Sequence, residues 1–179
     1  MNTQEIVTSD SMPEAHDSEE FVSGIKVEKS VSVNRPIGEV YSFWRDFENL
    51  PKIMSHIKKV EVTNSRLSHW TIHAPARTTV EWDAEIVEER ENELITWRSL
   101  EGSEVANAGN VRFVEAANGT GTEVHLSMQY DPPGGWLGKF ATWLFGEVPE
   151  EAIEKDLQQF KQLMESVNYK DTKELPISA

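Results

Sequence analysis

Residues 80–86, Val-Glu-Trp-Asp-Ala-Glu-Ile, alternate apolar and acidic side chains without a break. Side chains on an extended chain point to opposite faces in turn. The stretch therefore predicts a strand with Val80, Trp82, Ala84 and Ile86 buried and Glu81, Asp83 and Glu85 in water. The same period of two runs outward in both directions, giving strands at about 57–63, 67–73, 78–89, 93–100, 107–116 and 122–130. Between them stand Asn64-Ser65, Ala74-Pro75, Glu91-Asn92, Glu101-Gly102 and the hairpin former Asn118-Gly119. Connections this short join antiparallel neighbours, because a parallel crossover needs about a dozen residues or more.

Upstream, Ile25, Val27, Val31 and Val33 share one face of a further strand, interrupted by Lys29. Pro36 suits a first helical turn, where its missing N–H costs nothing, and Ile37, Val40, Trp44 and Phe47 follow at helical spacing. Leu50, Ile53 and Met54 form a second short apolar face. Downstream, Pro132-Pro133-Gly134-Gly135 opens a helical stretch that Gly146 and Pro149 interrupt and that runs on to about Val167. Its second half carries one apolar stripe, Ile153, Leu157, Phe160, Met164 and Val167. The order is strand, two short helices, six strands, long helix: an α+β fold. Only the long C-terminal helix is large enough to cover the apolar face of a twisted antiparallel sheet. One helix across a curved seven-stranded sheet covers it incompletely, so a concave, mostly apolar cavity is expected between them.

The 179 residues carry 31 Asp and Glu against 17 Lys and Arg, a formal net charge of −14. A nucleic-acid partner needs a basic face, and this balance argues against one. It also disfavours docking on anionic lipid. The chain has no cysteine, which removes disulfides, thiolate metal sites and a Cys nucleophile together. Residues 1–24 hold six acidic side chains and no Lys or Arg, the composition of a disordered acidic tail. Residues 169–179 read as a flexible polar tail, which leaves a single domain at 25–168. No stretch reaches the roughly 18 apolar residues of a membrane span, so no integral membrane association is expected. The acidic tail lacks the basic and apolar regions of a secretory signal, and the expected location is the cytoplasm.

Several runs carry a family resemblance: Asn34-Arg35-Pro36 leading into VYSFWRDFENLP at 40–51, SHW at 68–70, VEWDAEI at 80–86 and ITWRSLEG at 95–102. NAGNVRF at 107–113, GTEV at 121–124, YDPPGGWLG at 130–138 and DLQQFKQLME at 156–165 continue it. Together they resemble the START-like superfamily, also called SRPBCC, whose members include polyketide cyclases/dehydrases and coenzyme-Q-binding proteins. The resemblance covers essentially all of residues 25–168 and looks most like the bacterial cyclase/dehydrase branch. It implies a helix-grip fold, a seven-stranded curved sheet wrapped around the C-terminal helix, with a cavity for a hydrophobic ligand.

Trp70, Trp82 and Trp97 fall on the strand face shared with Ile72, Val80, Ala84 and Ile95, and Val124, Leu126, Met128 and Tyr130 belong to the same concave face. Such an aromatic wall suits a flat or polyprenyl ligand, and it equally suits an ordinary aromatic core. With the resemblance, the implied ligand contacts are Trp70, Ile72, Trp82, Trp97, Ser99, Phe113, Met128, Tyr130, Phe140 and Leu144. Family cyclases are thought to orient a poly-β-keto chain with polar pocket groups. Here Ser99, Tyr130 and Asn107 or Asn110 are the polar groups in place, and Tyr130 is the candidate acid/base or hydrogen-bonding residue. The plain alternative is that Tyr130 satisfies its hydroxyl at the pocket edge.

Residues 136–145, WLGKFATWLF, are apolar on more than one stripe. They read as a ligand portal, a transient membrane contact or a homodimer face, or as a surface that the short helices cover. Glu81, Asp83 and Glu85 read as a solvated face with Arg98 and Arg112 as partners. His69 and His73 would lie about 13 Å apart along a strand, too far for one ion. His16, His56 and His125 stand apart from them, so neither a metal nor a cofactor is expected. Gly119-Thr120-Gly121 joins two strands and reads as a hairpin, not a phosphate loop. The leading expectation is non-covalent binding of a hydrophobic small molecule, a lipid, quinone or polyketide-like compound. The alternatives are a cyclase/dehydrase-type enzyme on a polyketide-like substrate and a stress-related protein-interaction module using the acidic tail or residues 136–145.

Overall fold

The computed structural model describes residues 25–73, 79–103, 105–117, 119–131 and 149–166. Strand β1 (Ile25–Val33) leads to helix α1 (Ile37–Arg45) and a 3-10 segment (Phe47–Lys52). Six strands follow: β2 (Ile57–Val62), β3 (Leu67–His73), β4 (Thr79–Arg90), β5 (Leu94–Ser99), β6 (Ala106–Glu115) and β7 (Thr122–Asp131). Helix α2 (Pro149–Glu165) closes the described chain. The expected portal at 136–145, with Phe140 and Leu144, lies outside the described residues, as do both tails and Asn118.

Every pairing is antiparallel, in the order β1-β7-β6-β5-β4-β3-β2. The two strands nearest in sequence to α1 therefore sit at opposite edges, and α1 with the 3-10 segment spans the concave side between them. This is the helix-grip α+β arrangement, with α2 packed over β1.

Helix α1 buries more than the stripe its spacing predicts: Val40, Tyr41, Phe43 and Trp44 are all enclosed. The reason is that it is wedged between two layers. The Phe43 and Trp44 rings lie 5.1 and 5.5 Å from Phe160 of α2, and Tyr41 meets Phe113 of β6 edge-on at 5.6 Å. On α2 the expected stripe is buried through Ile153, Leu157, Phe160 and Met164. Its C-terminal carbonyls, which have no partner within the helix, are taken up from the β1–α1 junction. Arg35 donates to the carbonyls of Met164 (2.6 Å) and Ser166 (3.1 Å), and the Asn34 N–H donates to the Glu165 carboxylate at 2.8 Å.

Two irregularities bend the sheet. Ile57 pairs with Ile72 but Lys59 with Thr71, and Ile86 pairs with Trp97 but Glu88 with Thr96. An extra residue in one strand exchanges the faces beyond it. In β4, Trp82, Ala84 and Ile86 are buried before the bulge, whereas Val87 is 38% exposed. Beyond it Glu89 turns toward α1, where its carboxylate accepts from the Tyr41 hydroxyl and from Arg45 Nε, each at 2.5 Å. Partial burial works to raise the Glu89 carboxyl, but these two bonds outweigh it and hold it below the ordinary value. The Tyr41 hydroxyl is pushed up to about 12 by its own burial and then by Glu89.

Gly109 stands opposite Trp97 on β5 and Met128 on β7. A Cβ there would lie 2.5 Å from Trp97 Cζ2 and 2.8 Å from the Ser127 carbonyl oxygen. The missing side chain is what lets the Trp97 indole approach β6 this closely.

Candidate functional site

The side chains of the concave face close around a cavity that leaves about 20 Å³ open to the centre of a water molecule. The sheet contributes Trp70 and Ile72 from β3, Trp82 from β4, Trp97 from β5, Asn107 from β6, and Met128 and Tyr130 from β7. The helical side contributes Trp44, Leu50, Met54, His56 and Ile57. Sheet alternation explains the first group, since each residue occupies an inward position of its strand.

Six of the residues expected from the sequence, Trp70, Ile72, Trp82, Trp97, Met128 and Tyr130, are brought together here. Phe113 is buried on the same face but packs against Tyr41, away from the cavity. Ser99, expected as a ligand contact, is not part of the cavity lining; its hydroxyl oxygen accepts the Asn107 N–H at 3.0 Å. Of the two candidate asparagines only Asn107 lines the cavity. Asn110 is half-buried on the convex side beside Arg112 and Ser127.

Trp70 and Trp82 stack with centroids 6.3 Å apart and planes 8° from parallel, and the Phe47 ring closes on Trp70 and Trp97 at 5.4 and 5.9 Å. The Trp70 indole N–H donates to Ser68 Oγ at 2.9 Å. The indole nitrogens of Trp44 and Trp82 are buried and meet no hydrogen-bond acceptor among the described residues. A buried donor left in that state costs about 1–3 kcal/mol.

Two polar residues were not singled out by sequence reasoning. Asp156 lies on the buried side of α2 at 4% exposed, and its Oδ2 is 3.6 Å from His56 Nδ1. Its signal was positional: it falls three residues after Ile153 and four before Phe160, inside the apolar stripe. His56 follows Met54 at the end of a short apolar face, with nothing in its neighbours to mark it as inward. Burial pushes the His56 imidazole down to about 4, which keeps it neutral at pH 7, while the nearby Asp156 carboxylate opposes that shift. The Tyr130 hydroxyl, directed at Met128 Sδ at 3.7 Å, is raised by burial and then by the charge of Asp156. It therefore stays protonated and serves as a donor, not as a base.

The convex face is solvated, as the alternation predicts. Glu85 takes Arg98 at 2.8 Å, and His69 lies between Asp83 (2.8 Å) and Glu81 (3.7 Å). Such exposed pairs contribute little to stability. Among the described residues no three His, Asp or Glu side chains gather as a metal site. Among them, too, no helix is long and apolar enough to cross a membrane.

A family model described as polyketide cyclase/dehydrase and lipid transport matches residues 33–157. An uncharacterized 17.2 kDa protein from the melC2-rnhH intergenic region of Streptomyces lincolnensis is 34% identical over 107 residues, 60% of this chain and 69% of that one. Among solved structures, DR_A0006 from Deinococcus radiodurans is 34% identical with a TM-score of 0.67, covering 79% of this chain and 97% of that one. A START superfamily protein from Mycobacterium smegmatis is 15% identical with a TM-score of 0.64, covering 80% and 98%. At that identity the likeness is one of fold alone.

Proposed function

The chain belongs to the polyketide cyclase/dehydrase and lipid transport family, and from that premise we propose that it binds a hydrophobic small molecule on its concave face without covalent chemistry. The observation that carries this reading is the composition of the cavity wall. Four tryptophans line it, yet so do His56, Asn107 and Tyr130. A core built only to pack gains little from polar groups, and two of the wall's indole donors, those of Trp44 and Trp82, meet no acceptor among the described residues. A site for an oriented ligand needs a few such groups within an apolar wall.

The space left, about 20 Å³, suits roughly one water molecule, so a ligand enters only as the wall yields. Met54 and Met128 supply that give, because thioether side chains repack at low cost. The same small volume favours a second reading, in which the aromatic face is a filled core and the domain is a protein-interaction module. A cyclase/dehydrase activity would draw on Tyr130 as donor and on the His56–Asp156 pair for proton transfer.

Mass spectrometry of an organic-solvent extract of the purified protein separates these readings. Wild-type protein is expected to release a lipid, quinone or polyketide-like compound in stoichiometric amount, and a Trp82→Ala/Trp97→Ala variant to release none. An empty extract, repeated after incubation with a panel of such compounds, moves the weight to the filled core. Conversion of a panel member to product would establish the enzyme.

A further inference from the structure

Granting that the concave face binds a ligand, we infer that Trp44 and Trp82 donate their indole N–H groups to acceptor oxygens on it, and that it is an uncharged carbonyl compound and not a fatty acid or phospholipid. Three observations lead there. The first is the pair of buried donors. Trp44 is 1% exposed and Trp82 6%, both line the same cavity, and neither indole nitrogen meets an acceptor among the described residues. They reach it from different layers, Trp44 from α1 and Trp82 from β4. Trp70, by contrast, has its N–H taken by Ser68. Of the four lining indoles, Trp70 thus spends its donor internally, and Trp44 and Trp82 keep theirs.

The second observation is the balance of the remaining polar groups. The Tyr130 hydroxyl is directed at Met128 Sδ and the Asn107 amide N–H at the Val105 carbonyl oxygen, whereas the Trp44 and Trp82 indole N–H groups meet no acceptor among the described residues. Two donors left over in an apolar wall match a ligand whose polar atoms accept.

The third is charge. Among the described residues no Lys or Arg lines the cavity, and the Asp156 carboxylate lies 3.6 Å from the lining residue His56. A carboxylate or phosphate brought inside would lose its hydration with no counter-charge and would face like charge at Asp156. A ketone or quinone oxygen needs only a donor, and a planar ring system fits beside the parallel Trp70 and Trp82 rings.

Calorimetry with three probes of one ring system tests this: naphthalene, 1,4-naphthoquinone and 2-naphthoate. The chain has no cysteine to add covalently to the quinone. Wild-type protein is expected to bind naphthoquinone about tenfold more tightly than naphthalene, the scale of one or two net hydrogen bonds, and to reject naphthoate. Trp82→Phe keeps an aromatic ring but loses the N–H. Any change in packing acts on both probes, so the loss of the N–H is read as a fall of about fivefold or more in the ratio of naphthoquinone to naphthalene affinity. In wild-type protein the indole ¹H–¹⁵N signals of Trp44 and Trp82 should shift with naphthoquinone and much less with naphthalene, a readout that needs no variant to fold. Equal affinity for naphthalene and naphthoquinone means that water alone serves the two donors, which overturns the inference and leaves the ligand reading standing. Tight binding of naphthoate also overturns it. If no probe binds, the ligand reading itself falls and takes the inference with it.

Discussion

Replacing Gly109 by alanine places a methyl group where the Trp97 indole now lies. The added carbon would stand 2.5 and 2.9 Å from Cζ2 and Cε2 of that ring and 2.8 Å from the Ser127 carbonyl oxygen. Carbon atoms rest comfortably at about 3.5–4.0 Å, so roughly 1 Å of overlap must be relieved. The Ser127 carbonyl cannot retreat, because its strand is held between β1 and β6, where Ser127 pairs with Glu28 and with Asn110. Trp97 must move instead, and the Phe47 ring stands 5.9 Å from it in a cavity with little spare room. Overpacking of this kind costs about 1–3 kcal/mol. A stiffer unfolded chain returns about 0.4–1 kcal/mol for the Gly→Ala exchange. The net expectation is a loss of about 1–2 kcal/mol, read as a fall of roughly 0.5–1 M in the urea midpoint at unchanged slope. A double-mutant cycle with Trp97→Leu isolates the cause: the smaller side chain should relieve the alanine, giving a coupling of about 1 kcal/mol. A neutral or stabilising Gly109→Ala, or strict additivity with Trp97→Leu, would refute the packing argument.

Arg35→Ala removes its bonds to the Met164 carbonyl in the last turn of α2 and to the Ser166 carbonyl just beyond it, and should cost about 1–3 kcal/mol, with hydrogen exchange accelerating first in the final turn of that helix. Lysine at this position should recover little of the loss, since one ammonium does not reproduce the guanidinium fork. His56 titrates near 6.5 when unfolded and about 4 when folded, so its contribution is whole above about pH 6.5 and is lost as the pH falls toward 4. The ceiling on that loss is roughly 3 kcal/mol, reduced by the opposing Asp156. Urea midpoints measured from pH 7 to 4 should show this limb in wild-type protein and a flatter one in His56→Gln; identical limbs contradict a neutral buried imidazole. Met54→Ala should destabilise by about 2–5 kcal/mol yet tighten naphthalene binding by enlarging the cavity, checked by paired urea and calorimetric titrations.

The alternation of Val80 to Ile86 and of its neighbours was enough to place the tryptophans on one face, because the period of two fixes side without any knowledge of partners. That is why Trp70, Trp82, Trp97, Met128 and Tyr130 were legible as a set. The bulge at Val87 was not, since one extra residue in an apolar-acidic pattern leaves no mark, and with it went the inward turn of Glu89 toward Tyr41 and Arg45. Trp44 could be placed on a helix but not aimed, because its target, Phe160, lies far along the chain. His56 and Asp156 meet across the same kind of distance. Strand parity separates Asn107, which turns inward with Gly109 and Val111, from Asn110, which turns outward with Arg112, and the short polar start of β6 is what leaves both open in the sequence. The size of the cavity depends on how α1, the 3-10 segment and the sheet interdigitate, a property of packing that no local pattern encodes.

The central claim is that the aromatic concave face takes a ligand into its interior. An isotope-filtered NOE experiment on labelled protein saturated with 1,4-naphthoquinone tests it most directly. The account predicts intermolecular NOEs from the ligand protons to the Trp82 and Trp97 rings and to the Met54 and Met128 methyl groups. NOEs confined to the exposed side chains of Val62, Val87 or Val114, or none at saturation, would contradict it.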